Sequence, residues 1–526
     1  MNKVFSKAGG IVSGLALFVM PLLAGNVLTN PGFESDPPGQ SQNLIGWTTY
    51  GPNNYNRTNS PARSGTNYYK VYQEFTGAVN YTGIYQDYIS GPGATYTADG
   101  WAYTTNSDVL AGQNVAWLEV SFRDAVANPL ALYRSRLVST NAILAGTFPK
   151  NTWVNLPVTN QYNLSTYTIT NTTTTLMAPP GTYFVRYQAV LQGDAANSAG
   201  AVYFDDLNLN LTSAATYGDW NIVWSDEFNG ATVDANTWTY DLGAGGWGNS
   251  EFEYYTSRVT NAFTSGGLLH IVARQESIGG QSFSSARMKT QGLAAWKYGR
   301  FEWRARFPAG AGFWPALWFL GTNITSVNWP GCGEIDVTET KGYAVTNVQG
   351  SLHSGSDETA TYTFPDSGSA TNFHTYVLDW STNAFLWYVD GHLYQRQTNW
   401  TSSLSGAVYP APFDKPFFII MNLAVGGNYV GNPSVATINA GGGFPGDMQV
   451  DYVRVFNQTA PLKISLTRTN NGLLVAWPSN VVGHLQAQFN ANTVGLNTNW
   501  SDLPPSANPF RVTPTNPSAL FRLQSP

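Results

Sequence analysis

The stretch that most restricts the fold is the segment GCGEIDVTET at 331–340, because it places three carboxylates in a mostly apolar setting. Side chains of a β-strand alternate between its two faces, so Glu334 and Asp336 share a face. Glu339 falls on the opposite face unless one β-bulge between Asp336 and Glu339 corrects the alternation. We therefore predict a bulged strand that presents all three acids on one face and apolar side chains on the other.

Acids gathered on one face repel each other and bring no benefit to folding. A solvated acidic edge strand is the plain alternative, but the neighbours Trp329, Pro330 and Cys332 make the setting too apolar for it. Retaining glycoside hydrolysis requires two carboxyls about 5–5.5 Å apart, one as nucleophile and one as general acid and base. A third acid between them can help to set their protonation. The pattern therefore favours a catalytic site of this kind.

The residues around the acids resemble glycoside hydrolase family 16, in its laminarinase-like form with the extra residue in the acidic strand. The resemblance implies a β-jelly-roll sandwich whose concave sheet forms a cleft. The motifs that carry it occur in order: IVWSDEFNG (222–230), GWGNSEFEYYT (246–256), YGRFEWRARFPAG (298–310), FWPALWFLG (313–321), NWPGCGEIDVTETKG (328–342), GSLH (350–353), FHTYVLDW (373–380), WYVDG (387–391), PFFIIMNLAVGGN (416–428) and VDYVRVF (450–456).

The resemblance also implies roles for single residues. The family's nucleophile falls on Glu334 and its general acid and base on Glu339, with Asp336 between them to orient the nucleophile. Two family positions that contact sugar fall on Asn249 and His353. Asn249 alone fits a turn cap equally well, and His353 is also able to tune Glu339.

Tryptophans near the acids are candidates for stacking on sugar rings. Trp314 and Trp318 are four residues apart on an alternating strand and share a face, which leaves both a cleft and a core position open. Trp329, just before the acidic strand, is the stronger candidate for a substrate contact. Cys332 is the chain's single cysteine, so no intrachain disulfide forms, and we expect it to pack in the interior.

A structural calcium on the convex side is a further implication of the resemblance. Its ligands are the Asp451 carboxylate and the backbone carbonyls of Glu227 and Gly267, and oxygen ligands suit calcium. An equally open alternative is that the Asp451 carboxylate accepts hydrogen bonds from backbone amides and binds no ion. We expect no cofactor for catalysis, and no Cys–His cluster indicates zinc.

Four segments follow from composition and strand patterns, and the predicted fold class is all-β. A basic start and a short apolar stretch predict a signal peptide, and therefore a secreted protein that keeps no membrane anchor. The segments are a signal peptide at 1–25, a β-sandwich module at 26–212, the catalytic domain at 219–457 and a small β module without an assigned ligand at 462–526.

The module at 26–212 resembles carbohydrate-binding modules of the family 4 and 9 type. That resemblance implies a β-sandwich, often with a structural calcium. It is carried by the short motifs NVLTNPGFES (26–35), GWTTYG (46–51) and AVYFDDLNL (201–209).

Within this module, Glu34 and Asp206 are the positions at which we expect calcium ligands. A turn acid and a strand-end acid without any ion are equally open. Trp47, Tyr50 and Trp101 are candidates for a sugar platform, although aromatic residues in a sandwich are more often part of the core.

The charge of the chain excludes some classes of binding partner. Charged residues make up 11% of the chain, the net charge is −6, and no basic run indicates nucleic acid or an anionic membrane. The laminarinase-like motifs imply a retaining endo-β-glucanase acting on β-1,3-glucan, with β-1,3-1,4-glucan also open, and we expect a monomer. A transglycosylase, a hydrolase of an agarose-type galactan and a non-catalytic glucan-binding protein are the alternatives, and the three intact acids disfavour the last.

Overall fold

The structure is a computed structural model of the chain. It describes residues 25–37, 44–58, 60–141, 143, 148–213, 220–365 and 367–458, and further along the chain six strands between residues 465 and 524. The expected signal peptide lies outside the described residues, apart from Gly25. The regular elements in the described part are strands, except for one α-helix, α1 (Val435–Gly441), and a 3-10 turn at Gly246–Gly248. The all-β prediction is confirmed.

The first β region consists of two facing sheets. One has the order β11-β5-β13-β3-β2 with β8 beside β5, and the other has the order β1-β4-β12-β6-β7-β9-β10. Its strands are β1 (Thr48–Tyr50), β2 (Asn54–Thr58), β3 (Asn67–Tyr72), β4 (Asn80–Ile89), β5 (Thr95–Tyr103), β6 (Val115–Arg123), β7 (Pro129–Arg134), β8 (Val154–Asn155), β9 (Asn160–Tyr162), β10 (Ile169–Thr172), β11 (Leu176–Met177), β12 (Phe184–Gly193) and β13 (Ala201–Ser213).

The second β region contains the acidic strand. Its strands are β14 (Trp220–Asp226), β15 (Thr239–Asp241), β16 (Glu253–Tyr255), β17 (Ala262–Ser265), β18 (Leu268–Ile278), β19 (Gln281–Ser285), β20 (Arg287–Lys289), β21 (Gly299–Arg306), β22 (Phe313–Gly321), β23 (Glu334–Glu339), β24 (Asn347–His353), β25 (Asp357–Thr363), β26 (His374–Ser381), β27 (Ala384–Val389), β28 (His392–Gln397), β29 (Phe417–Val425) and β30 (Gly446–Gln458). A seven-stranded sheet, β15-β20-β29-β22-β23-β24-β25, carries the acids.

Local sequence explains the centre and the turns of this region. Every residue of β29 is buried, because its nearly continuous apolar run lies between β20 and β22 in the middle of the sheet. β27 and β28 form a hairpin that turns at Asp390-Gly391. Both turn residues have positive φ, 49° and 85°, as a tight two-residue hairpin requires.

The two β regions pack on each other within one compact unit. Ile89 and Phe184 of the first region share a buried apolar cluster with Leu386 and Tyr388 of the second. The Ile89 N–H donates to the Gly391 carbonyl at 2.6 Å across the contact. The two regions are therefore held by a common core, while the predicted domain boundaries stay a prediction.

A second compact unit contains the C-terminal strands. They form two small sheets, in the orders β31-β32-β35 and β34-β33-β36. The strands are β31 (Ser465–Thr469), β32 (Gly472–Ala476), β33 (His484–Asn490), β34 (Ser501–Asp502), β35 (Phe510–Val512) and β36 (Ser518–Gln524). Across the part of the chain that the structure describes, no helix has the length and apolar character needed to cross a membrane.

Candidate active site

A cleft of about 360 Å³ lies on the face of the seven-stranded sheet that bears the acids. All three acids line it, and so do the predicted substrate contacts Asn249, Trp314 and Trp329. The remaining lining residues are Trp247, Gly248, Glu251, Arg287, Ala316, Trp318, Leu320, Ile324 and Asn422.

The predicted bulge is present and explains the convergence of the acids. The register of β23 against β24 shifts between Asp336 and Glu339, so both residues point into the same cleft. Ile335 and Val337 are buried on the opposite face. The one extra residue of the bulge therefore places all three acids on the same face of the sheet.

Buried surroundings raise the pKa of both glutamates. Burial first, and then the negative charge of Asp336, raise the pKa of Glu334 to about 8. The same two causes raise the pKa of Glu339 well above its ordinary value, while a hydrogen bond from Trp314 Nε1 to Glu339 Oε1 at 2.8 Å acts in the opposite direction. The expected influence of a neighbouring carboxylate on Glu339 is present, but desolvation is the larger cause.

His353 lies beside the acids of the cleft. Its Nε2 is 3.1 Å from Asp336 Oδ2, and its Nδ1 is 2.8 Å from Asp357 Oδ1. Burial would lower the pKa of His353, but the hydrogen bond and charge of Asp336 outweigh it and raise the pKa to about 10. The structure therefore places the charge of His353 beside Asp336 and Glu334, while its predicted hydrogen bond to sugar stays a prediction.

Glu334, Asp336 and His353 are close enough together to hold a metal ion. Ligand atoms of Glu334, Asp336 and His353 lie within 4.8 Å of one another. With a pKa of about 10, the imidazolium of His353 itself supplies positive charge at this position near neutral pH.

The tryptophans take distinct positions in the cleft. Trp314 stacks on Tyr429 with ring centroids 4.9 Å apart, so one of its faces is already covered. Trp318 shares the cleft face, as alternation predicted, and donates from Nε1 to Asn422 Oδ1 at 2.7 Å. Trp329 is 54% exposed and has the ring face most open to a ligand.

Sequence reasoning missed several lining residues. Glu251 accepts a hydrogen bond from the Tyr255 hydroxyl at 2.9 Å, and its place inside the GWGNSEFEYYT motif was a usable signal. Arg287 lies outside every motif and reaches the cleft only through the fold. Its guanidinium is 4.7 Å from the Trp318 ring centroid and pairs with Asp241 at 2.9 Å, a carboxylate that Lys289 also contacts.

The acidic residues of the expected calcium site lie on or beside β14 and β30, and their side chains have protein partners. Asp451 forms an ion pair with Arg304 at 2.6 Å, and the Glu227 side chain accepts two hydrogen bonds from Arg454. A guanidinium therefore already neutralises the carboxylate expected to hold calcium, so these side chains do not favour the ion. The calcium site, with the carbonyls of Glu227 and Gly267, stays a prediction.

The candidate acids of the first β region are also engaged. Glu34 accepts hydrogen bonds from the backbone amides of Thr66 and Asn67, and Asp206 pairs with Arg63. The calcium ion expected at Glu34 and Asp206 therefore also stays a prediction.

The aromatic candidates of that region divide between core and surface. Trp47 is buried in the core, and Trp101 lies under a guanidinium at 3.9 Å. Tyr50 lines a surface groove.

In the second region, Cys332 is buried as predicted, and burial raises its pKa to about 11.

Comparison with known proteins gives a consistent set of matches. Residues 248–454 match the family described as Glycosyl hydrolases family 16. The beta-glucanase of Rhodothermus marinus is 42% identical over 249 residues, which cover 45% of this chain and 85% of that protein. The glucan endo-1,3-beta-glucosidase of Cryptopygus antarcticus is 39% identical over 256 residues, which cover 46% of this chain and 93% of that protein. The X-ray structure of the laminarinase from Rhodothermus marinus is 41% identical, with 46% of this chain and 98% of that chain covered and a TM-score of 0.42.

Proposed function

Because this chain belongs to glycosyl hydrolases family 16, we propose that it cleaves β-1,3-glucan by double displacement. It is a glycoside hydrolase that acts within β-glucan chains. The observation that carries the proposal is the bulge, which aims Glu334, Asp336 and Glu339 into one cleft beside exposed Trp329. A neutral glucan suits this cleft, since its lining contains four acids and a single basic side chain, Arg287.

In the first step, the Glu334 carboxylate attacks the anomeric carbon while the Glu339 carboxylic acid gives its proton to the leaving oxygen. The glycosidic bond breaks and a glycosyl ester of Glu334 forms. Burial suits Glu339 to this task, because it holds the proton near neutral pH. The hydrogen bond from Trp314 to one carboxyl oxygen fixes the group and leaves the other oxygen for the proton.

In the second step, the Glu339 carboxylate takes a proton from water, and the hydroxide oxygen attacks the anomeric carbon. The ester bond breaks and Glu334 leaves as a carboxylate. The positive charge of His353 favours this ionised form of Glu334 and offsets part of the effect of burial. Asp336 holds His353 in place at 3.1 Å.

The same proposal covers the rest of the chain. The region at 26–212 is a carbohydrate-binding module, supported by the aromatic and polar side chains that line a groove on its sheet, among them Tyr50 and Trp117. The protein is secreted through the segment at 1–25 and works as a monomer on a polysaccharide.

Product analysis tests the proposal. Wild-type protein is incubated with laminarin, lichenan, agarose and carrageenan, with Glu334→Gln as the control for contaminating activity. We expect shortened laminarin products, with the β-anomer first in proton NMR spectra of early hydrolysis. Cleavage of agarose without laminarin contradicts the substrate, an α-anomer formed first contradicts double displacement, and products longer than the substrate indicate transglycosylation.

A further inference from the structure

A second groove, of about 300 Å³, lies where the two β regions meet, and we name it the junction groove. It is separate from the cleft and opens between strand β4 of the first region and the edge strand β25 of the second. Side chains from both regions line it, among them Thr48, Tyr85, Asp87, Thr361, Tyr362 and Thr363.

The cleft face of the sheet continues to this groove. Glu339 lies opposite Gln349 in the register of β23 and β24, and Gln349 lies opposite Thr361 in the register of β24 and β25. Gln349 donates to Thr361 Oγ1 at 3.2 Å and accepts from the Tyr429 hydroxyl at 2.6 Å. Two strand spacings separate Glu339 from Thr361, or about 10 Å. A chain that crosses the strands past Glu339 therefore reaches the junction groove.

On its other side, the junction groove meets the aromatic face of the first region. Tyr85 lies 6.3 Å from Tyr50 between ring centroids and opposite Gln188 in the register of β4 and β12. Tyr50 and Gln188 line a groove of about 550 Å³ on the same sheet, together with Trp117 and Tyr167. The cleft, the junction groove and this aromatic face form one series of adjoining surfaces.

The junction groove presents offset charge, which fits a neutral, hydroxyl-rich ligand. Asp87 accepts two hydrogen bonds of 2.7 Å from Arg186, whose guanidinium lies 3.7 Å from the Tyr85 ring centroid. This contact holds the tyrosine ring in a fixed orientation. His392, also in the lining, has a pKa lowered to about 4 by burial, so it is neutral at working pH.

The two walls of the groove are held together rigidly. The backbone bond from Ile89 to Gly391 and the shared apolar cluster lie next to it. On the same contact, the Thr29 hydroxyl lies 3.2 Å from His392 Nε2, and Arg396 donates to the Val126 carbonyl at 3.2 Å. The groove is therefore pre-formed, so that ordering of the protein costs little free energy when a ligand binds.

We propose that the junction groove is an accessory glucan site, in which one β-glucan chain lying in the cleft continues over Gln349 and Thr361 and packs on Tyr85. The inference rests on the proposed function, because it takes the cleft's own substrate as the ligand. It makes the first β region part of the substrate path rather than a separately tethered module.

Calorimetric titration of a full-length, inactive Glu339→Gln protein with laminaritriose and laminariheptaose tests this. The longer sugar is expected to bind more tightly, because it reaches the junction groove. Adding Tyr85→Ala is expected to weaken heptaose binding about fivefold, the size of one aromatic contact, and to leave triose binding as it was. Thr363→Trp, which fills the groove from an exposed position on β25, is expected to have the same effect.

Tyr72→Ala is the matched control, because Tyr72 lies on β3 in the opposite sheet, stacked on Tyr55. It is expected to change neither affinity, and melting curves verify that all variants are folded. Equal binding of triose and heptaose, an unchanged heptaose affinity in both groove variants, or an equal loss for both sugars overturns the junction groove while the proposed function stands. Failure of the parent protein to bind either sugar, or of the wild type to cleave laminarin, overturns both.

Discussion

In the catalytic cleft, no arginine or lysine of the described chain forms an ion pair with Glu334 or Glu339, whereas on the sheet face of the first β region each acid has one. Asp87 pairs with Arg186 and Glu119 with Arg134, both at 2.7 Å. Both surfaces consist of aromatic and polar side chains on a β-sheet. The difference lies in what burial does to the acids.

Buried carboxyls without a cationic partner hold their protons at unusually high pH, as the raised pKa values of the cleft glutamates show. Such groups can give and take protons near neutral pH. A carboxylate paired with an arginine instead binds and orients its neighbours through charge-assisted hydrogen bonds. Two similar sheet faces are thereby suited to different tasks, one to chemistry and one to binding.

The largest expected effect separates the two faces by activity. Glu334→Gln and Glu339→Gln each remove a reacting carboxyl and are expected to lower laminarin turnover about 10³-fold or more. Glu119→Gln makes the same chemical change on the other face and is expected to keep most of the turnover, measured at a temperature where it stays folded. An equal loss of turnover in all three variants would contradict a difference in function between the acids of the two faces.

Azide then distinguishes the two cleft glutamates. With an activated aryl glycoside, Glu339→Gln still forms the glycosyl-enzyme but lacks the base that activates water. Azide needs no deprotonation and is expected to restore turnover with a β-glycosyl azide as product. An α-glycosyl azide from the Glu339 variant means that the proposed roles of Glu334 and Glu339 are exchanged.

The next effect separates the faces by stability. Asp87→Asn leaves Arg186 without its ionic partner. Both side chains are mostly buried, with exposed fractions of 7% for Asp87 and 19% for Arg186. Loss of one member of such a pair is expected to lower the free energy of unfolding by about 3 kcal/mol. Urea unfolding measures it, and the double variant Asp87→Asn/Arg186→Met is expected to recover part of the loss. No change in the single variant contradicts a structural role for the pair.

A smaller effect concerns the pH profile. His353→Gln removes the positive charge that favours the ionised form of Glu334, so the pKa of Glu334 rises further. The acid limb of the activity profile is expected to move to higher pH by about one unit. The control is His374→Gln, because His374 pairs with Asp390 away from the cleft. A limb that stays in place shows that His353 does not act on the nucleophile.

The smallest effect is on thermal stability. A carboxyl whose pKa is raised by folding binds its proton more tightly in the folded state, so it lowers stability as pH rises from the ordinary value of 4.5 to the folded value of about 8. Glu334→Gln removes this cost. Its melting temperature is expected to exceed that of the wild type by a few degrees at pH 8 and by almost nothing at pH 4.5. A gap that widens toward acid pH contradicts the direction of the shift.

Local pattern was enough to predict the acidic strand and its bulge, because alternation along one strand depends on that strand alone. The hairpin at Asp390-Gly391 was predictable for the same reason, since two turn residues decide its geometry. The approach of Arg287 to Trp318 was not predictable. These two residues lie far apart in sequence, and only the pairing of β20, β29 and β22 brings them together.

The sequence by itself determined the all-β fold, the family and the three acids of the cleft, since all of these rest on short-range periodicity and on motifs a few residues long. Only the tertiary structure decided that His353 faces Asp336 and Asp357, that burial dominates the pKa of Glu339, and that Tyr85 of one region meets β25 of the other. These features depend on desolvation and on contacts between distant segments, and both exist only after the sheets have packed.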